Sequence, residues 1–226
     1  MFNRTELLIG KDNLNRIRNL NILVIGVGGV GGYTVETLIR SGVENITIVD
    51  YDTIDITNLN RQIITSNDNI GYYKVEEFKK RILSINGNVK VNIIKDKIDK
   101  DNINILFNDN YDYIVDACDT VIVKKLLIKE CYNRGINLIT VCGMGKKLDP
   151  TKIKIGDIRN TSYDPIAKIL RKYVKDEKIK GKVTCIYSDE EPINNEENIT
   201  SSMMIVPSVA GIYAAYYIIN NTITRR

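Results

Sequence analysis

Asn21-Ile22-Leu23-Val24-Ile25 is a near-continuous apolar run, and it breaks directly into Gly26-Val27-Gly28-Gly29-Val30-Gly31-Gly32. No other stretch limits the fold so tightly. Apolar residues at successive positions suit a strand buried on both faces of a parallel sheet. Glycines this closely spaced suit a tight turn from strand into helix, with the backbone free to approach a phosphate. Residues 30–41 then place Val30, Val35, Leu38 and Ile39 at helical spacing, and Gly42 stops the helix.

The same rhythm repeats downstream. Residues 46–50 read as a strand, 74–85 as a helix, 89–94 and 113–116 as strands, 121–135 as a helix and 136–141 as a strand. Strands separated by crossovers of a dozen or more residues give a parallel sheet covered on both faces. The expected fold class is therefore α/β, Rossmann-like and doubly wound, with a mainly parallel sheet. After Gly143 the pattern changes. Residues 152–158 alternate like a half-exposed strand, Asp164-Pro165 opens a helix to about residue 176, and 183–187 form a further strand. Additional antiparallel strands are expected in this C-terminal part. Residues 189–198 read as an exposed acidic loop, and the block from Val206 to Ile219 as a helix buried in the sheet core or a subunit interface. Without a repeat or linker, residues 1–226 read as one domain. Its nucleotide-binding half spans about 1–145, and its substrate and dimer half about 146–226.

A glycine loop at a helix N-terminus supplies amide donors and positive potential for a phosphate, through Gly26, Gly28, Gly29 and Gly31. Asp50 ends the second strand, where a carboxylate can accept from ribose hydroxyls. On those features alone, NAD and ATP are both admissible. The next segment favours ATP. Asp52, Asn58, Arg61 and Lys74 follow, and a triphosphate carries more charge for such groups to offset than a dinucleotide does. Asp119, just past a later strand, is a natural magnesium ligand among phosphates.

Composition removes several chemistries. Histidine is absent, which excludes His bases, His triads and His metal ligands. Four cysteines, at 118, 131, 142 and 185, form no C-x-x-C pair, and their apolar settings read as small buried hydrophobes. The net charge of +4 is mild, so a nucleic-acid partner must be met by a local patch. No stretch approaches the roughly 18 apolar residues of a membrane span, and the N-terminus has no apolar signal region, so a cytoplasmic protein is expected.

Taken together, the glycine loop, Asp50, the Asn58-x-x-Arg61-Gln62 element, Lys74 and Asp119 resemble the adenylating domain of ubiquitin-activating enzymes and their bacterial relatives. The resemblance implies ATP with Mg2+ as cofactors, Asp50 on ribose, and Asn58, Arg61 and Lys74 on the triphosphate. It also implies Asp119 on the metal, and Arg4 reaching the partner subunit's ATP in a homodimer. Arg61, Lys74 and Asp119 are then the catalytic residues. Asp149-Pro150-Thr151-Lys152, Asp164-Pro165-Ile166-Ala167, Tyr187-Ser188-Asp189-Glu190 and Val206-Pro207-Ser208-Val209-Ala210-Gly211 are similar to one branch, the tRNA threonylcarbamoyladenosine dehydratases. That branch implies a tRNA substrate whose threonyl carboxylate is adenylated and then closed into a ring by its own carbamoyl group. It also admits cysteine-desulfurase or sulfur-acceptor partners. The segment between Glu191 and Ser201 looks short for the branch.

For the tRNA, the basic run Lys168, Arg171, Lys172, Lys175, Lys178, Lys180 and Lys182 is the expected phosphate-binding surface. Lys146, Lys147, Lys152 and Lys154 make a second run. Three other readings stand beside this one. The chain could activate the C-terminal carboxylate of a ubiquitin-like sulfur carrier, which calls for a catalytic Cys. It could be a nucleotide-bound scaffold without catalysis, or an NAD dehydrogenase, in which Asn58, Arg61 and Lys74 would have no task.

Overall fold

The computed structural model describes residues 1–193 and 201–224. Helices α1 (Asn3–Ile9) and α2 (Lys11–Arg18) precede β1 (Asn21–Ile25), and α3 (Gly31–Ser41), β2 (Asn45–Val49), α4 (Lys74–Ile85) and β3 (Lys90–Ile94) follow. Next come β4 (Tyr113–Asp116), α5 (Val121–Arg134), β5 (Asn137–Val141), β6 (Ile153–Asp157), α6 (Pro165–Asp176), β7 (Thr184–Ser188) and α7 (Ile205–Thr224). Seven strands form one sheet in the order β3-β2-β1-β4-β5-β7-β6. All neighbours pair parallel except β6 with β7. The doubly wound α/β expectation holds, with the antiparallel part reduced to the single edge strand β6, because β7 joins β5 in parallel.

The side chains of β1 show how the layers form. Ile22 and Val24 join a core with Val35, Leu38, Ile39 and Phe78 of α3 and α4. Leu23 and Ile25 point the other way, into a core with Val123, Leu127 and Cys131 of α5. Period-2 alternation thus feeds two apolar layers, which explains the continuous hydrophobic run. Helix ends follow the sequence. Gly42 caps α3 at φ 110°, and Asp164 caps α6 by accepting from the Ala167 N–H at 2.6 Å, with Pro165 next.

Helix α7 packs inside the domain, on α3. A Cβ on Gly211 would lie 2.2 Å from the Val30 carbonyl oxygen, so glycine is what lets the two helices approach. Ala210, Ala214, Ala215 and Ile218 are buried there, while Ile212 and Tyr216 face outward. Helices α1 and α2 carry no strong sequence signal; α1 buries none of its residues. Of the acidic loop expected at 189–198, residues 194–198 lie outside the described residues, as does most of the segment between Glu191 and Ser201.

Candidate active site

Register delivers the site. Ile25 pairs with Val49 on one side and with Asp116 on the other, and Asp116 pairs with Thr140. The glycine loop, Asp50, residues 117–119 and residues 141–143 therefore leave the sheet along one carboxyl edge, where ligands bind in such folds. A cleft of ≈ 610 Å³ opens there. Gly26, Gly28, Gly29, Asp50 and Asp52 line it, and so do Asn58, Arg61, Lys74 and Asp119.

The glycines divide into two kinds. Gly26 sits at φ 80°, and a Cβ on Gly31 would meet the Gly26 carbonyl oxygen at 1.8 Å, so both are demanded by the turn. A Cβ on Gly28 or Gly29 would meet its neighbours only at 3.5 Å or beyond. Internal packing leaves those two positions free, and they face the cleft. The N–H groups of Gly28, Gly29 and Val30 donate to no acceptor among the described residues, at the N-terminus of the eleven-residue α3. Such a terminus receives an anion.

Asp50 holds this loop in place. Its Oδ2 accepts from the Val27 N–H and its Oδ1 from the Asp52 N–H, each at 2.9 Å. Burial pushes the Asp50 carboxyl above the ordinary value, against the pull of Lys74 and those two amides. Lys74, buried at the start of α4, donates to Asp52 Oδ2 at 2.8 Å. The Asp52 side chain remains 47% exposed, so this ammonium is reachable by rearranging one solvated carboxylate. Arg61 passes over Gly29 and donates to the Thr57 carbonyl and Asn60 Oδ1 at 2.8 and 2.9 Å. Asn58 is buried, its Oδ1 accepting from the Asp55 N–H in a capping box that fixes the turn. Asp119 is exposed and, among the described residues, accepts only from the Thr120 hydroxyl, at 3.3 Å.

Two expected residues lie apart. Gly31 is beneath the loop and does not line the cleft; Arg4 is on exposed α1, away from it. The basic runs also fail to form continuous surfaces. Arg171 turns inward to the Thr161 carbonyl at 2.7 Å, Lys147 is buried against the Gly143 carbonyl at 3.0 Å, and Lys154 pairs with Asp189. Lys182 lies over the Tyr217 ring, where Lys180 and Lys182 border a separate pocket between β5 and β7. Exposed Lys168, Lys172 and Lys175 remain on α6.

Sequence reasoning missed the floor of the cleft. Lys124 of α5 and Asp116 of β4 are 1% and 0% exposed and lie 3.1 Å apart. Lys124 also donates to the Val141 carbonyl at 2.8 Å, and the Thr140 hydroxyl donates to Asp116 at 2.6 Å. Burial alone would lower the Lys124 ammonium, but Asp116, together with the nearby Cys118 and Cys142, outweighs it and raises the value. Cys118, expected to be buried, is half-buried at the cleft wall, its thiol donating to Asp116 Oδ1 at 3.0 Å. Gln62 is also buried beside Gly28, and its Oε1 has no hydrogen-bond partner among the described residues.

Residues 2–220 match the ThiF family. The chain is 40% identical to the tRNA threonylcarbamoyladenosine dehydratase of Bacillus subtilis, over 96% of this chain and 92% of that one. It superposes on the Escherichia coli tRNA N6-threonylcarbamoyladenosine dehydratase in complex with ATP with a TM-score of 0.92 and 33% identity. That match covers 98% of this chain and 93% of the other. The AMP complex of the E. coli protein gives a TM-score of 0.91, with 33% identity and 97% and 92% coverage.

Proposed function

This chain belongs to the ThiF family, and on that premise we propose that it is an ATP-dependent enzyme that dehydrates N6-threonylcarbamoyladenosine in tRNA. The observation that supports this most is one cleft holding unpaired loop amides, Arg61 and the half-open Lys74–Asp52 pair, in a chain close in length and sequence to such dehydratases. In this reading the threonyl carboxylate attacks the α-phosphorus of ATP, and the bond to the bridging oxygen breaks to release pyrophosphate. The carbamoyl group of the same nucleoside then attacks the acyl-adenylate carbon, loses its proton, and expels AMP. Because the second nucleophile belongs to the substrate, no enzyme thioester is needed.

The residues position charge. Amides of Gly28 and Gly29 receive phosphate oxygens, and Arg61 and Lys74 offset the charge that builds toward pyrophosphate. Asp50 accepts from ribose with lone pairs not spent on Val27 and Asp52. The site suits Mg2+ as a shared ion. Among the described residues no three His, Cys, Asp or Glu side chains gather to hold a metal alone, whereas Asp119 has a carboxylate free for one. Mg2+ commonly takes one or two carboxylates plus substrate phosphates. Asp119 would hold it, and it would neutralise phosphate charge.

A homodimer completes the proposal. Leu7 and Leu8, beside Arg4 on α1, are 87% and 83% exposed, which suits a helix that covers its apolar face on a second subunit and carries Arg4 to the partner's cleft. A desulfurase or sulfur-acceptor partner would act here by docking, since three of the four thiols are buried. Among the described residues no helix is long and apolar enough to cross a membrane, and a tRNA substrate puts the work in the cytoplasm. The test is incubation with ATP and tRNA bearing threonylcarbamoyladenosine. Equal amounts of cyclised nucleoside, AMP and pyrophosphate are expected, and pyrophosphate exchange driven by a carrier-protein tail but not by the tRNA overturns the reading.

A further inference from the structure

Three residues other than glycine adopt positive φ among those described: Lys146 at 58°, Tyr163 at 52° and Lys178 at 51°. Two have local reasons. Lys178 follows the end of α6, where its N–H reaches the Lys175 carbonyl and the next N–H reaches Val174. Lys146 uses both sides of its backbone, donating to the Ser201 carbonyl and accepting from the Ile193 N–H, each at 2.8 Å. Tyr163 has no such reason. Neither its backbone nor its hydroxyl hydrogen-bonds a described residue, and its side chain is largely in solvent, the residue 58% exposed. Left-handed backbone at a bulky residue is strained and persists only where its surroundings impose it.

Those surroundings are fixed on both sides. Arg171 grips the Thr161 carbonyl and hydroxyl, and that hydroxyl donates to the Ile158 carbonyl at 2.8 Å. Ser162 donates to Asp189 at 2.9 Å, and Asp164 caps α6. The braced turn sits at the cleft mouth. Asp164 Oδ2 lies 2.7 Å from where a Cβ on Gly143 would be, and Gly143 lines the cleft, as does Ile166 in the first turn of α6. A rigid loop therefore holds one unpartnered aromatic ring out at the rim, beside a helix that presents Lys168 and Lys172 to solvent.

We propose that Tyr163 is a stacking platform for an unstacked nucleobase of the RNA substrate, a substrate-binding contact outside the ATP cleft. The inference rests on the tRNA reading above. Unstacked bases bind by their faces to exposed aromatic rings, and the cations on α6 can meet the adjoining phosphates. Holding the ring in place beforehand lowers the entropy lost on binding, which is what a strained, braced backbone supplies.

The test compares Tyr163→Gly, Tyr163→Ala and Tyr163→Phe. Glycine suits the backbone there, so Tyr163→Gly folds without strain and isolates the ring. Losing one base stack raises KM for threonylcarbamoyladenosine tRNA about tenfold in the Gly and Ala variants, with kcat and calorimetric ATP affinity unchanged. Phe restores KM to near wild type. Unchanged KM in Tyr163→Gly, failure of Phe to restore it, or parallel loss of ATP affinity overturns the proposal. A wild-type protein inert on modified tRNA overturns the function and this proposal together; an active wild type beside an unaffected Tyr163→Gly overturns the stacking role alone.

Discussion

Two lysine–aspartate pairs stand on the same edge of the sheet, and they are built for opposite ends. Lys124–Asp116 is sealed, 1% and 0% exposed, with every ammonium donor aimed at Asp116, Thr140 or the Val141 carbonyl. Lys74–Asp52 is sealed on one side only, with Lys74 at 6% and Asp52 at 47%. In the first pair neither charge has anywhere else to go, so the pair sets the geometry of β4, α5 and β5 beneath the cleft. In the second, water already screens the carboxylate, so an incoming phosphate can compete for the lysine. Exposure of the anion, more than the distance between charges, separates a structural ion pair from a usable one.

Replacing each lysine by methionine keeps the volume and removes the charge, and the comparison predicts different losses. Lys124→Met leaves Asp116 buried and unpaired, and should cost about 3–5 kcal/mol of folding stability. Urea unfolding measures it, and a loss below about 1 kcal/mol would mean Asp116 finds water or another donor. Lys74→Met should leave stability within about 1 kcal/mol, because its partner is half-solvated. Its effect belongs to adenylation, slowed about 10²–10³-fold in single turnover as for the loss of one charge-stabilising donor. If the two variants behave alike, exposure is the wrong criterion.

Asp50 sharpens the same contrast through pH. Its folded pKa lies above its unfolded value, because burial outweighs Lys74 and the two amides. Between the unfolded and folded values the native state binds more protons, so the Asp50 contribution to stability falls as pH rises through that window. ATP binding should run the other way, since ribose hydroxyls need the ionised acceptor, and affinity drops as pH falls through the raised value. Asp50→Asn should remove both slopes and weaken ATP by about 1.5–3 kcal/mol at neutral pH. Calorimetry and urea titration across that window would check it; slopes of the same sign in both would refute the assignment.

The sealed pair was invisible in the sequence and the open one was half legible, for a physical reason. Lys74 and Asp50 belong to a local pattern, a glycine turn followed by strand end and helix start, whose spacing carries the chemistry. Asp116, Lys124 and Thr140 meet only through sheet order, since β4 and β5 must pair before Thr140 reaches Asp116. The same limit explains the basic runs. Nothing in the spacing of Arg171 or Lys147 reveals that a backbone carbonyl claims each. It also explains β7, which enters between β5 and β6 out of chain order. Helices α1 and α2 were missed because α1 buries nothing and α2 only Leu14 and Ile17.

The smallest expected effect concerns the four cysteines, and it bears on the mechanism most directly. Burial raises the Cys131 thiol to about 12. Cys118 is raised by burial and by the Asp116 carboxylate next to it, and Cys185 by its contact with Cys142 and by burial. Three raised thiols are poor sources of thiolate at neutral pH. Cys118 and Cys142 both border the cleft, but Cys142 is buried, and the half-buried Cys118 donates a hydrogen bond to the carboxylate of the sealed pair. Replacing all four by alanine should therefore leave turnover per folded molecule within about twofold of wild type, as expected when an effect is too small to amount to 1 kcal/mol. Stability should fall modestly as small cavities open around 131, 142 and 185, so ATP binding serves as the measure of folded protein. Loss of turnover from Cys118→Ala alone, with ATP binding intact, would instead show a thiol taking the acyl group. Activation of a carrier protein would then fit better than ring closure on tRNA. The geometry opposes it: a thiol hydrogen-bonded to Asp116, itself locked to Lys124, has no base left to take its proton.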